Sequence, residues 1–346
     1  MKTRSKTSTS SFSTLEHSAR HAWMANWIII LTIGFAVIAM GSLTAEAKPF
    51  PDCPLSRDGS VRVCRNADPD SRELASSKFD LYLPGHPGAN ATFRPILVIH
   101  GGCFTGGDKS DVATIAELMA KNGFAAMAIN YTLASDVPGN RASSYPDVLE
   151  DMRRQLNWLE SPQAFEMKIR TDWIGAYGES SGATLAGYLG TRHLNSARSA
   201  GRAAVNTVVD FYGRVDLTRP QPAGKGMDCA LKFLNASRAT ELSSFRDASV
   251  TPKDSPMPAH FFIAHGSLDT QVEPWHSQHL QDELRAVGLS EKESQLLILP
   301  GQGHGFTGAG RTQALTAATE FFKNESAQAN PGPAQIWIKR PIKPFK

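Results

Sequence analysis

Three residues that together could perform nucleophilic hydrolysis lie far apart in this chain, each in a short glycine-containing stretch. Ser180 is the centre of Gly178-Glu179-Ser180-Ser181-Gly182, Asp269 ends His265-Gly266-Ser267-Leu268-Asp269, and His304 lies in Gly303-His304-Gly305-Phe306. A serine hydroxyl is a poor nucleophile at neutral pH. It needs a base to take its proton, a group to orient that base, and N–H donors for the oxyanion that forms. His304 is the expected base and Asp269 the expected acid. The donors are expected from the backbone of Gly102 or Cys103, in His100-Gly101-Gly102-Cys103, together with that of Ser181. Each stretch has a blander alternative: a serine in a glycine-rich turn, an ordinary βα turn at 100–103, and a core histidine at 304. The order Ser180, Asp269, His304, with each residue after a strand-like run, favours the chemical reading.

Other residues of suitable type compete less well. Asp210 reads as a structural hydrogen-bonding residue rather than as the acid, and Asp216 ranks below Asp269. His276 and His279 stand one helical turn apart without a third ligand, so they read as a solvated helix face and not as a metal site. His265 is expected to shape the turn that leads to Asp269. Glu179 and Phe104 are the expected substrate contacts. The loop after His100 lacks the Gly-Lys-Ser/Thr of a phosphate loop. Asn90-Ala91-Thr92, Asn235-Ala236-Ser237 and Asn324-Glu325-Ser326 fit the glycosylation pattern, which matters only in a eukaryotic secretory host.

For the three side chains to meet, each must leave the carboxyl end of a strand at one edge of a common sheet. The sequence supplies such strands. Residues 79–83 alternate polar and apolar, whereas 95–100 and 124–131 are nearly continuous apolar runs, as in strands covered on both faces. Further strands are expected at 172–177, 207–212, 260–265 and 295–299. Between them, helices are expected at 112–121, 146–159, after Ser180, 276–287 and 311–323. Val148, Met152, Leu156 and Leu159 share one helical face. This alternation predicts an α/β fold with a mostly parallel sheet and helices on both faces. Residues 213–258 break the rhythm and are expected to form a small insertion over the site, with a helical piece near 229–234.

The ends of the chain are expected to lie outside that core. A basic, Ser/Thr-rich leader precedes an apolar run, Trp27 to Met40, and then Ala45-Glu46-Ala47. The run has about 14 residues where a spanning helix needs roughly 20. Residues 1–47 therefore read as a signal peptide cleaved after Ala47, with an uncleaved anchor as the alternative, and imply a secreted or periplasmic protein. Residues 325–346 are a basic tail, and the net charge of +3 is too small to point to nucleic acid. Export permits disulfides. Four cysteines allow three pairings. Cys53 with Cys64, stapling an extension at 48–77, and Cys103 with Cys229 are the expectation; the alternative for Cys103 is a buried inert thiol.

From about residue 78 to 322 the chain resembles the α/β-hydrolase superfamily. It is similar in particular to secreted carboxylesterases related to hormone-sensitive lipase and to bacterial feruloyl or acetyl-xylan esterases. The resemblance rests on His100-Gly101-Gly102 with Gly107-Asp108-Lys109, Ala128-Ile129-Asn130-Tyr131 and Gly178-Glu179-Ser180-Ser181-Gly182. Asp210-Phe211-Tyr212-Gly213, His265-Gly266-Ser267-Leu268-Asp269 and Gly303-His304-Gly305-Phe306 complete it. It implies the α/β-hydrolase fold over 78–324, with nucleophile Ser180, acid Asp269, base His304 and oxyanion donors around Gly102, Cys103 and Ser181. It also implies a small-molecule ester substrate, with short acyl or aryl groups favoured, and neither metal nor organic cofactor. A serine peptidase of prolyl-oligopeptidase type, an acyltransferase and a non-catalytic binding protein are the rivals. Two departures stand out: Cys103-Phe104 replaces the usual Gly-Trp, and Ser181-Gly182-Ala183 replaces Ala-Gly-Gly. Both predict a bulkier wall beside the oxyanion donors.

Overall fold

Alternation within a single strand fixes the layering. Side chains of successive strand residues point to opposite faces, and Ile96, Leu97, Val98 and Ile99 are all fully buried. Such a strand must be covered on both sides. The structure, a computed structural model, describes residues 52–69, 74–136, 144–192, 194, 203–221, 228–237 and 239–329. The expected signal peptide with its expected cleavage after Ala47, residues 330–346 of the tail, and 222–227 and 238 of the insertion lie outside the described residues.

Eight strands form one sheet: β1 (Val61–Ala67), β2 (Phe79–Pro84), β3 (Pro95–Ile99), β4 (Ala125–Ile129), β5 (Gly175–Glu179), β6 (Thr207–Phe211), β7 (His260–Gly266) and β8 (Ser294–Leu299). Their order is β1-β2-β4-β3-β5-β6-β7-β8. The pairs β1/β2 and β2/β4 are antiparallel, and every pair from β4 to β8 is parallel. The helices are α1 (Ala113–Lys121), α2 (Tyr145–Leu159), α3 (Pro162–Glu166), α4 (Ser181–Thr191), α5 (Cys229–Leu234), α6 (Leu242–Asp247), α7 (Trp275–Ala286) and α8 (Gly308–Gln328). Leu97 and Ile99 share one core with Val148, Met152 and Leu156 of α2, Leu185 and Leu189 of α4, and Leu280 and Leu284 of α7. Ile96 and Val98 share the other with Ile115 and Met119 of α1 and Ala318 and Phe322 of α8. This is the α/β-hydrolase fold expected from the sequence.

Strand β1 is absent from the sequence expectation, and its composition explains why. Arg62, Arg65 and Asn66 interrupt the apolar pattern, and a bulge falls between Cys64 and Ala67. Charges and bulges suit an edge strand, whose outer side meets water. The Cys53–Cys64 disulfide ties the segment before β1 to it, as expected. Helix α8 begins before the expected 311 because Gly308 and Gly310 mask its first turn in the sequence, and it runs on past 323 to Gln328. No helix among the described residues is long and apolar enough to cross a membrane.

The order β4-β3-β5 makes β3 the switch point of the sheet, with neighbours added on either side. At such a point the carboxyl ends of adjacent strands diverge and leave a crevice. The loop 101–104 follows β3 and Ser180 follows β5, so both open into it.

Candidate active site

The chain passes from β5 into α4 through one residue. Ser180 carries it at φ 55° and ψ −121°, a conformation that costs a non-glycine residue about 1–3 kcal/mol. The glycines on either side make the turn feasible. A Cβ on Gly178 would stand 2.1 Å from the Gly182 carbonyl oxygen, and one on Gly182 would stand 2.4 Å from the Ile99 carbonyl oxygen. No real Cβ tolerates such distances, so α4 packs directly on the backbone of β3 and β5. The Ser180 N–H donates to the Phe211 carbonyl at 2.9 Å, fixing the corner to β6.

From this corner a continuous hydrogen-bonded chain runs to a buried carboxylate. His304 Nε2 lies 3.0 Å from Ser180 Oγ, and His304 Nδ1 lies 2.7 Å from Asp269 Oδ2. The loops after β7 and β8 are zipped together to hold this pair. Ser267 N–H donates to the Leu299 carbonyl at 3.0 Å, and Leu268 N–H to the Gln302 carbonyl at 2.9 Å. Asp269 Oδ1 accepts from the backbone N–H of Gln271 at 2.8 Å and of Val272 at 3.0 Å. Burial by itself would raise the Asp269 pKa. Hydrogen bonds from His265 and His304, with the latter's charge and the Val272 N–H, outweigh it and hold the carboxyl well below the usual range. Asp269 is thus an anion beside the His304 imidazole.

His265 does more than shape a turn. Its Nε2 lies 2.9 Å from the Val272 carbonyl and 3.2 Å from Asp269 Oδ2, and its Nδ1 lies 2.7 Å from Ser277 Oγ. A carbonyl only accepts, so Nε2 bears the hydrogen, which also points toward the Asp269 carboxylate. Asp210 takes the structural role read from the sequence: its Oδ1 accepts from the Gly213 N–H at 2.8 Å. Burial pushes its pKa up to about 6. The solvated-face reading of His276 is overturned. It is buried, its Nδ1 accepts from the Asp216 N–H at 3.4 Å, and burial with the nearby charge of Arg214 pushes its pKa down to about 3. His279 instead stacks on Trp275 with ring centres 4.6 Å apart. Among the described residues no group of three or more His, Cys, Asp or Glu is arranged to hold a metal.

Opposite the elbow, the loop after β3 carries Cys103 at φ 60° and Phe104 at φ 59°. Two consecutive left-handed residues turn the backbone of 101–103 toward Ser180, and Gly101, Gly102, Cys103 and Ser181 all line the same cavity of about 450 Å³. The Cys103–Cys229 disulfide forms as expected and bolts α5 of the insertion to this loop. Phe104 is 1% exposed and stacks on Phe233 at 4.1 Å between ring centres, so most of its surface serves that joint. Phe104 still borders the cavity, as do Arg214, Gln221, Cys229, Gln271 and Val272.

Residues 79–284 match the family model described as BD-FAE. The chain belongs to the BD-FAE family. The match includes Ser180 and Asp269 and stops short of His304. Over 257 residues, 69% of this chain, it is 29% identical to the probable carboxylic ester hydrolase LipM of Mycobacterium tuberculosis. It spans 57% of the length of that relative. In fold it is similar to a truncated carbohydrate esterase from gut microbiota, with TM-score 0.66 and 23% identity, over 79% of this chain and 99% of that one. It is also similar to the propionate-bound esterase Est2 of the planctomycete Thermogutta terrifontis, with TM-score 0.57 and 19% identity, over 79% of this chain and 97% of that one.

In this BD-FAE chain the site contains residues that the sequence reading left without a role. Glu179, expected to touch substrate, lines the cavity, yet its carboxylate accepts from Tyr177 Oη at 2.5 Å, Tyr212 Oη at 2.6 Å and Arg311 Nη2 at 3.1 Å. The Tyr212 ring packs against His304 with centres 4.7 Å apart. Arg214 pairs with Asp228 at 2.8 Å, the two side chains being 6% and 12% exposed. Gln221 then bridges to the loop after Asp269 through the Gln271 carbonyl at 2.7 Å. The motif Asp210-Phe211-Tyr212-Gly213 was the available signal for Tyr212. Arg214 and Arg311 carry no such local signal, since their partners Asp228 and Glu179 lie 14 and 132 residues away.

Proposed function

We propose that the protein is a serine carboxylic ester hydrolase working through an acyl-enzyme, and that it is exported. The observation that carries this reading is the unbroken Ser180–His304–Asp269 hydrogen-bond chain on the wall of the cavity. His304 takes the Ser180 proton as Oγ attacks the ester carbonyl, and Asp269 holds the imidazole and balances its charge. The backbone N–H groups of Gly102 or Cys103 and of Ser181 stabilise the oxyanion. His304 then protonates the departing alcohol, and water activated by the same imidazole releases the acid. No step calls on a metal or an organic cofactor.

The modest cavity, with Phe104 and the Cys103–Cys229 bond closing one side, favours short acyl or aryl esters. Two disulfides and an apolar run followed by Ala45-Glu46-Ala47 support export to an oxidising compartment. The test is turnover of p-nitrophenyl acetate and butyrate by the purified protein, beside Ser180→Ala. Turnover is expected in the first and not in the second; equal rates would remove Ser180 from the reaction. An anilide analogue run in parallel separates an esterase from a peptidase.

A further inference from the structure

Of the three side chains that bond the Glu179 carboxylate, Tyr177, Tyr212 and Arg311, Tyr212 connects it to the base. Glu179 directly precedes the nucleophile, and its side chain is 18% exposed. Tyr212 donates its hydroxyl to Glu179 Oε2, while its ring meets the His304 imidazole at 4.7 Å and Phe306 at 4.9 Å. Tyr212 itself stands at φ 49°, a strained position for a bulky residue, and its N–H is tied to the Ala264 carbonyl at 2.9 Å. Strain of this kind persists where the surroundings impose it, and here it turns the ring onto the base. Arg311, from the first turns of α8, closes the network on Glu179 Oε1.

Resting on the ester-hydrolase reading, we propose that Tyr212, anchored on the Glu179 carboxylate, is a positioning residue for His304, and that the Glu179–Arg311 pair tunes the pH at which the base becomes active. A strand-to-ring link of this type fixes the imidazole on a side that Asp269 does not reach. The charged and titratable groups around His304 are Asp269 with His265 behind it, Tyr212, and beyond Tyr212 the cluster of Glu179, Tyr177 and Arg311. Removing the Glu179 charge leaves Arg311 uncompensated and disfavours the imidazolium; removing Arg311 does the reverse.

The experiment is a kcat, KM and pH–rate comparison on p-nitrophenyl acetate, with thermal melting of every variant as a fold check. Tyr212→Phe keeps the ring and loses the anchor, so kcat should fall about 5–10-fold with KM within about 2-fold; Tyr212→Leu should cost about 100-fold. The acid limb of kcat/KM should move by about half a pH unit downward in Glu179→Gln and upward in Arg311→Gln. Shifts of opposite sign cannot come from general loosening. Folded variants with wild-type kcat and an unmoved acid limb, or two charge variants shifting the same way, would overturn the proposal. A wild-type protein without ester turnover would instead overturn the functional reading on which it rests.

Discussion

The two walls of the cavity are held by different physics. On the side of Ser180 the fixing elements are backbone. Glycine contacts at Gly178 and Gly182 leave no room for a Cβ, and the partner loops are joined by main-chain hydrogen bonds around 266–269 and 299–302. On the side of the insertion they are side chains: the Cys103–Cys229 bond, the Phe104–Phe233 stack and the Arg214–Asp228 pair. Backbone packing has no alternative arrangement at similar energy, whereas side-chain links can be exchanged one at a time. The reacting edge is therefore the constant part of the molecule and the insertion the adjustable one. Residues of the insertion can change on such a scaffold without disturbing the Ser180 corner.

The largest expected effect strikes the constant wall. Asp269→Asn should keep the fold and lower kcat about 10³–10⁴-fold, because the amide no longer selects the tautomer that leaves Nε2 free for Ser180. Retained activity would show that Asp269 does not orient His304. Gly182→Ala comes next. Its Cβ meets main chain of β3, so denaturant unfolding should show about 3–5 kcal/mol of lost stability. A near-neutral result would mean that the elbow is as pliable as the insertion.

Removing the staple sharpens the contrast from the other side. The Cys103→Ser, Cys229→Ser pair opens a link spanning 126 residues and should cost about 2–4 kcal/mol. The acetate ester should still turn over within about 3-fold of wild type, while bulkier acyl esters gain, since only the adjustable wall has loosened. Loss of all activity would make the disulfide part of the reacting edge.

The smallest effect concerns Asp210. Its folded pKa, about 6, lies above the ordinary value of 3.8, so native protein stays protonated while the unfolded chain ionises. That costs nothing at pH 3, grows between about pH 4 and 6, and is complete above. Asp210→Asn should therefore gain stability over wild type as pH rises from 4 to 8, reaching roughly 3 kcal/mol. A gain that is equal at all pH values would rule out the ionisation as its cause.

Much of the reacting edge was readable in the chain because each of its residues carries a local signature. A serine between glycines, a histidine between glycines, and an aspartate closing a His-Gly-x-x-Asp turn each sit directly after a strand-like run. The insertion wall was not readable in the same way. Arg214 finds Asp228 across a loop, and Arg311 finds Glu179 across much of the chain, so no spacing announces either pair. Strand β1 escaped because an edge strand keeps charges that blur its period, and His276 was misread because two histidines on a helix say nothing of which side is buried.

By itself the sequence determined the alternation of strands and helices, the two-faced burial of the central strands, and the order Ser180, Asp269, His304, each after a strand. All three follow from local steric and hydrophobic periodicity. Only the tertiary structure decided that Glu179 faces two tyrosines and an arginine, that Tyr212 bears on His304, and that Phe104 is locked against Phe233. Contacts between residues remote in sequence arise from how the helices and loops pack on the finished sheet, and no local pattern encodes that packing.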